Sequence, residues 1–148
     1  MFRAISKTEK EKKSMDVLIV EPEKAPRMAS ITGDLNSLQQ VVGGYIEAVY
    51  PYDDPVAIVC HEEGKLIGLP LNRKLEDYDI IAGTFIICGL GEEDFDSLTP
   101  ELAEKYREKF ADPEIFMKMG NRIVAIPIKP KDELYVAKPK QKSTEPEL

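Results

Sequence analysis

Few residues in this chain could do covalent chemistry. A nucleophile–base pair would have to join a cysteine or serine to His61, the only histidine. Cys60 precedes His61 directly, but neighbouring strand residues point to opposite faces, so these side chains are not expected to meet. His61 also falls in HEEG, read as a hairpin turn, where polar residues are ordinary. Cys60 and Cys88 sit inside apolar runs, VAIVC and TFIIC, and read as two buried thiols packing as small hydrophobes. With no Cys-x-x-Cys spacing, neither a disulfide nor a metal site is indicated.

Carboxylates offer the next possibility, as Asp53-Asp54, Glu62-Glu63 and the group Glu92, Glu93, Asp94 and Asp96. General acid–base work needs a desolvated carboxyl group with a raised pKa, and each of these falls in a predicted exposed turn. EEDFD has an outward likeness to a calcium loop but lacks its spacing and its distal bidentate glutamate. Two glycine pairs invite a phosphate reading. VVGG ends a helix rather than starting one, and GLGEE runs into acid with no Walker-type lysine, so neither is a phosphate cradle. No catalytic residue, metal or cofactor is expected.

The sharpest polar pair is Asn72-Arg73, in GLPLNRKL at residues 68–75. Arg73 offers a planar fork of donors suited to phosphate or carboxylate, and Asn72 could read an amide or a base edge. A structural reading competes. Gly68 and Pro70 would shape a strand exit, Asn72 would satisfy nearby backbone, and Arg73 would pair with Glu76 or Asp77.

The elements that must position these residues read as β-β-α-β-β-β-β-α. DVLIVEP (16–22) is a buried strand and 26–34 an edge strand opened by Pro26. Asp34 is placed to cap a helix with a stripe of Leu35, Leu38, Val41 and Val42, stopped by Gly43-Gly44. YIEAVYP (45–51) is a strand. VAIVC and KLIGL read as a hairpin across HEEG, and GTFIICG (83–89) as a central strand buried on both faces. Thr99-Pro100 starts a helix whose Leu102, Tyr106 and Phe110 should face the sheet. A short helix is expected over PEIFMKMG, then a strand at 121–130. The fold class is α+β, a mostly antiparallel sheet with two helices on one face. Regular βαβ alternation is missing, which argues against a dinucleotide fold.

Length and charge bound the rest. The chain has 148 residues, 43% hydrophobic and 32% charged, as expected for a globular protein. Residues 1–14 read as a flexible polar extension, 15–112 as one domain, 113–137 as an appendage packing on it, and 138–148 as a flexible tail. No apolar run reaches the roughly 18 residues of a membrane span, and the first 15 residues hold no apolar stretch fit for a secretory signal. Cytoplasmic localisation without membrane contact is therefore expected. Net charge is −7. The first 14 residues carry five basic against two acidic groups, and residues 138–148 three against two, so the body between them is −11. An acidic body disfavours direct nucleic-acid binding and permits a basic protein partner.

LQQVVGGYIEAV, CHEEGKLIGLPLNRKL, YDIIAGTFIICG and EDFDSLTPELAEKY, in this order, resemble the domain of unknown function 3846 family from residue 15 to about 110. His61 departs from it, since the family's usual residue there is Asn. The family occurs in bacteria, phages and mobile elements and has no assigned reaction. The resemblance marks Gly43, Gly44, Tyr45, Glu47, Gly68, Pro70, Asn72, Arg73, Gly83 and Thr84 as recurrent positions. Of these, Glu47, Asn72, Arg73 and Thr84 are hardest to explain by folding alone, and convergence on one ligand-binding patch is expected. Two functions follow. One is a non-enzymatic accessory protein of a mobile element or phage that binds a host macromolecule, such as a defence or nucleic-acid-processing protein. The other is a small-ligand domain holding a nucleotide-like anion through Arg73 and Asn72.

Overall fold

A computed structural model describes residues 13–77 and 79–130. Apart from Lys13 and Ser14, the expected N-terminal extension lies outside the described residues, as does the expected tail. Strand β1 spans Ser14–Val20, β2 Arg27–Thr32, β3 Ile46–Val49, β4 Val56–His61, β5 Leu71–Leu75, β6 Asp79–Ala82, β7 Phe85–Leu90, β8 Phe95–Asp96, β9 Glu114–Met119 and β10 Arg122–Pro127. Helix α1 spans Leu35–Val42 and α2 Pro100–Lys109. The main sheet has the order β2-β1-β7-β4-β3, with β8 paired to β7, and each of its pairs is antiparallel. Hairpins β5–β6 and β9–β10 form two further two-stranded sheets.

The class is the expected mostly antiparallel α+β, but the helices do not share a face. Alternation along β1 sends Leu18 and Val20 one way and Val17 and Ile19 the other. The first pair packs with Ala103, Tyr106 and Phe110 at α2 and with Leu75 and Ile81 of the β5–β6 hairpin. The second packs with Leu38 and Val42 of α1. Strand β7 is central, buried on both faces as its unbroken apolar run implies. One layer per face follows from that run, because a sheet apolar on both sides must be covered on both.

Three local expectations are corrected. KLIGL does not pair with VAIVC. Residues 62–69 coil into short-range turns, with Ile67 N–H donating to Glu63 O and Leu69 N–H to Gly64 O, and Leu66 and Ile67 point outward. Gly68, at φ +81°, ends any extension there. Strand β4 takes β3 as its neighbour instead, and the next hairpin turns later, beyond Leu75. PEIFMKMG is not a helix but β9, whose Gly120-Asn121 turn returns the chain as β10. Asp34 is the N-cap residue of α1, yet its carboxylate makes no capping bond and accepts from Thr32 Oγ1 at 2.7 Å. At α2, Thr99 caps Leu102 N–H as expected.

Candidate functional site

Asn72 and Arg73 lie in β5, where the register shifts between Leu71 and Arg73. Such a bulge sets two residues against one and re-aims a side chain. Strict alternation would bury one of the pair and expose the other, whereas here Asn72 is 0% and Arg73 2% exposed. The Arg73 guanidinium donates through Nε (3.1 Å) and Nη2 (2.8 Å) to the Phe110 carbonyl, the C-cap of α2. Nη2 also reaches the Lys24 carbonyl at 2.7 Å, and Nη1 donates to Asn72 Oδ1 at 2.9 Å. Asn72 Nδ2 donates to the carbonyls of Val20 (2.9 Å) and Gly83 (2.8 Å). A cation at the carbonyl end of a helix is favourably placed. The pair ties the end of β1, the loop behind it, the β6–β7 link and α2 to one strand. At the surface nearby, Glu76 pairs with Lys109 and Asp77 with Lys74.

Of the four residues marked by the sequence, Asn72 and Arg73 are brought together, whereas Glu47 and Arg73 border different hollows. Glu47 is exposed on β3, opposite Cys60 of β4. Thr84 is half-buried in the link between β6 and β7. Glu47 borders a cleft of about 320 Å³, Arg73 a different hollow of about 250 Å³, and Thr84 lines neither.

The Glu47 cleft opens where β3 and β4 meet the 62–69 turns and the β5–β6 hairpin. Its walls include Val49, Leu75 and Ile80. Its rim holds four carboxylates, Glu47, Glu62, Glu63 and Asp79, against one ammonium, Lys65, which Asp79 engages. The His61 imidazole packs on Gly44, so that a Cβ there would require the ring to move, and its Nδ1 accepts from Glu63 N–H at 3.0 Å. Burial, reinforced by the charges of Glu47 and Asp79, pushes the Cys60 thiol up to about 11. Burial, with Asp94 adding to it, pushes Cys88 to about 12. Neither is a thiolate at neutral pH, so neither is primed as a nucleophile. Cys60 is half-buried rather than buried, and the two thiols pack on opposite faces of the sheet.

A second hollow, of about 500 Å³, lies between Lys13–Met15 and the acidic loop Gly91–Asp96. Asp94 and Asp96 there accept from the backbone amides of Phe95 and Ser97, which is local turn chemistry. Among the described residues no group of three or more His, Cys, Asp or Glu could hold a metal. No helix among them is long and apolar enough to cross a membrane.

The family pattern described as domain of unknown function (DUF3846) matches residues 15–111. The chain belongs to the DUF3846 family. No curated protein and no solved structure matches it. The DUF3846 region takes in both the Asn72–Arg73 bulge and the Glu47 cleft, and it stops at Ala111, before the β9–β10 hairpin. Within it, sequence reasoning passed over Lys65, Asp79 and Ile80, which line the cleft with Glu47. Their signal was weak, because Asp79 and Ile80 reach the cleft only once β5–β6 folds over β4, and Lys65 lies in the turns beside it. It passed over the Lys24 and Phe110 carbonyls as well, since backbone acceptors leave no trace in side-chain types.

Proposed function

We propose that this DUF3846 protein acts by binding a basic protein surface rather than by catalysis, with the Glu47 cleft as the contact. The observation that carries this is an apolar-walled cleft rimmed by four carboxylates and one lysine, on a chain of net charge −7. Apolar walls with a few oriented polar groups suit recognition, and excess negative charge steers a cationic partner toward them. The absence of a primed thiolate in the cleft favours binding over covalent chemistry. The resemblance to phage and mobile-element proteins supports a cytoplasmic accessory role, directed at a host defence or nucleic-acid-processing protein.

An anion held by Asn72 and Arg73 would have to displace the Phe110, Lys24, Val20 and Gly83 carbonyls, so the small-ligand reading draws no support from their environment. The test is affinity capture from bacterial lysate, comparing wild type with the double variant Glu47→Lys, Glu63→Lys. Proteins retained by the wild type and released from the variant are expected. Identical retained sets would sink the assignment of the cleft.

A further inference from the structure

The cleft adjoins the end of the main sheet, and that edge has a specific hydrogen-bonding state. Strand β3 pairs with β4 on one side only, and no described strand pairs with its other side. Glu62 N–H donates to Tyr45 O at 2.9 Å, and the register places Ile46 opposite His61 and Glu47 opposite Cys60. Antiparallel pairs alternate between bonded and non-bonded. The backbone groups of Tyr45 and Glu47 therefore face β4, and those of Ile46 and Ala48 face outward. Side chains alternate at right angles to this. Ile46 and Ala48 pack toward α1, while Glu47 and Val49 point to the cleft. Tyr45 and Tyr50 bracket the edge and are 73% and 58% exposed. Exposed tyrosines of this kind are favoured contact residues at interfaces.

We propose that the partner docks as an extended, lysine- or arginine-bearing peptide segment that adds a strand to the open edge of β3 and sends alternate apolar side chains into the Glu47 cleft. This rests on reading the cleft as a protein-binding surface. An unpaired edge is a template for strand addition, in which main-chain bonds supply affinity and alternate pockets supply specificity. The Ile46 and Ala48 amides and carbonyls provide the main-chain bonds. Val49 and Ile80 receive the side chains that fall on the cleft face of the added strand. Glu47, Glu62 and Glu63 select cationic flanking residues, and Tyr45 and Tyr50 close the two ends.

The test uses the full chain and three short peptides. One alternates lysine with leucine, the second is its backbone N-methylated form, and the third replaces lysine by glutamate. The expected result is saturable binding of the lysine peptide by fluorescence anisotropy, with slowed amide exchange at Ile46 and Ala48. N-methylation should weaken binding about tenfold through lost main-chain bonds. Ala48→Pro should weaken it similarly, because it removes an outward N–H that β4 does not use, at an edge position where proline is tolerated. Retained exchange protection of β7 checks that this variant folds, and the N-methylated peptide decides the matter if it does not. Equal binding of the methylated peptide with unchanged exchange at Ile46 and Ala48 overturns strand addition. If Glu47→Lys still weakens binding in that case, the cleft assignment stands alone. Equal affinity for the glutamate peptide overturns the charge selection. No saturable binding of the lysine peptide up to about 1 mM overturns the docking mode, whereas the lysate capture decides the cleft itself.

Discussion

The Asn72–Arg73 bulge and the β3 edge are two polar regions of one family domain, and the fold gives them opposite environments. At the bulge, donors are buried and their partners are carbonyls of the protein itself. At the edge, charge is exposed and backbone groups point outward. The side chain richest in donors became internal structure, while the less conspicuous Glu47 borders the cleft. Hydrogen-bonding capacity alone therefore does not mark a binding site. What matters is whether the fold leaves that capacity unspent.

Substitutions can break or sharpen this contrast. The largest effect is expected from Arg73→Ala, at about 4 kcal/mol of lost stability, because it strips donors from two carbonyls and leaves a cavity. Urea denaturation checks it, and a loss below about 1 kcal/mol would erase the contrast. Asn72→Ala should cost about 2 kcal/mol in the same assay, since the Val20 and Gly83 carbonyls lose their shared donor. Asn72→Asp should be worse than Ala, because an acceptor would then face two acceptors.

A smaller effect, dependent on pH, is expected where α2 meets the turn before β4. Asp54 accepts from Lys105 and Tyr106, each at 2.6 Å, and these bonds hold its carboxyl below the ordinary value of 3.8. A depressed carboxylate contributes stability above its unfolded pKa and loses it as pH falls through the folded one. Tyr106→Phe should therefore be less stable than wild type at neutral pH. The gap should narrow as the pH falls below 3.8, as read by denaturant midpoints on either side of that value. A gap that does not narrow would detach Asp54 from the effect. The smallest change in stability is expected from Glu47→Lys, within about 0.5 kcal/mol, as for an exposed side chain away from core features. Its effect should appear in binding instead. A large stability loss would make Glu47 structural and remove the contrast from the other side.

The elements whose apolar pattern had the right period were legible in the sequence. DVLIV, VAIVC and TFIIC gave β1, β4 and β7, and Thr99-Pro100 gave the start of α2. The hairpins were harder to read. KLIGL has a strand composition, yet Leu66 and Ile67 end up outward because the chain coils into turns from residue 62 instead of extending. PEIFMKM could serve as helix or strand by composition, and its cross-strand pairing with RIVAIP decided for strand. Of the marked site residues, Glu47 borders the cleft beside β3 and Arg73 a smaller hollow elsewhere. Asn72, Arg73 and Thr84 depended on a bulge and a link whose geometry is not written in residue types.

By itself, the sequence determined the α+β class, the central position of β7 and the family, because periodicity and ordered motifs are local properties of the chain. Only the tertiary structure decided that the helices cover opposite faces, that Asn72 and Arg73 turn inward together, and that Glu47 stands beside an open strand edge. Those outcomes depend on which strands become neighbours and where one residue is added to a ladder. A one-residue shift in register exchanges inside for outside, and the identity of the residues does not change when it happens.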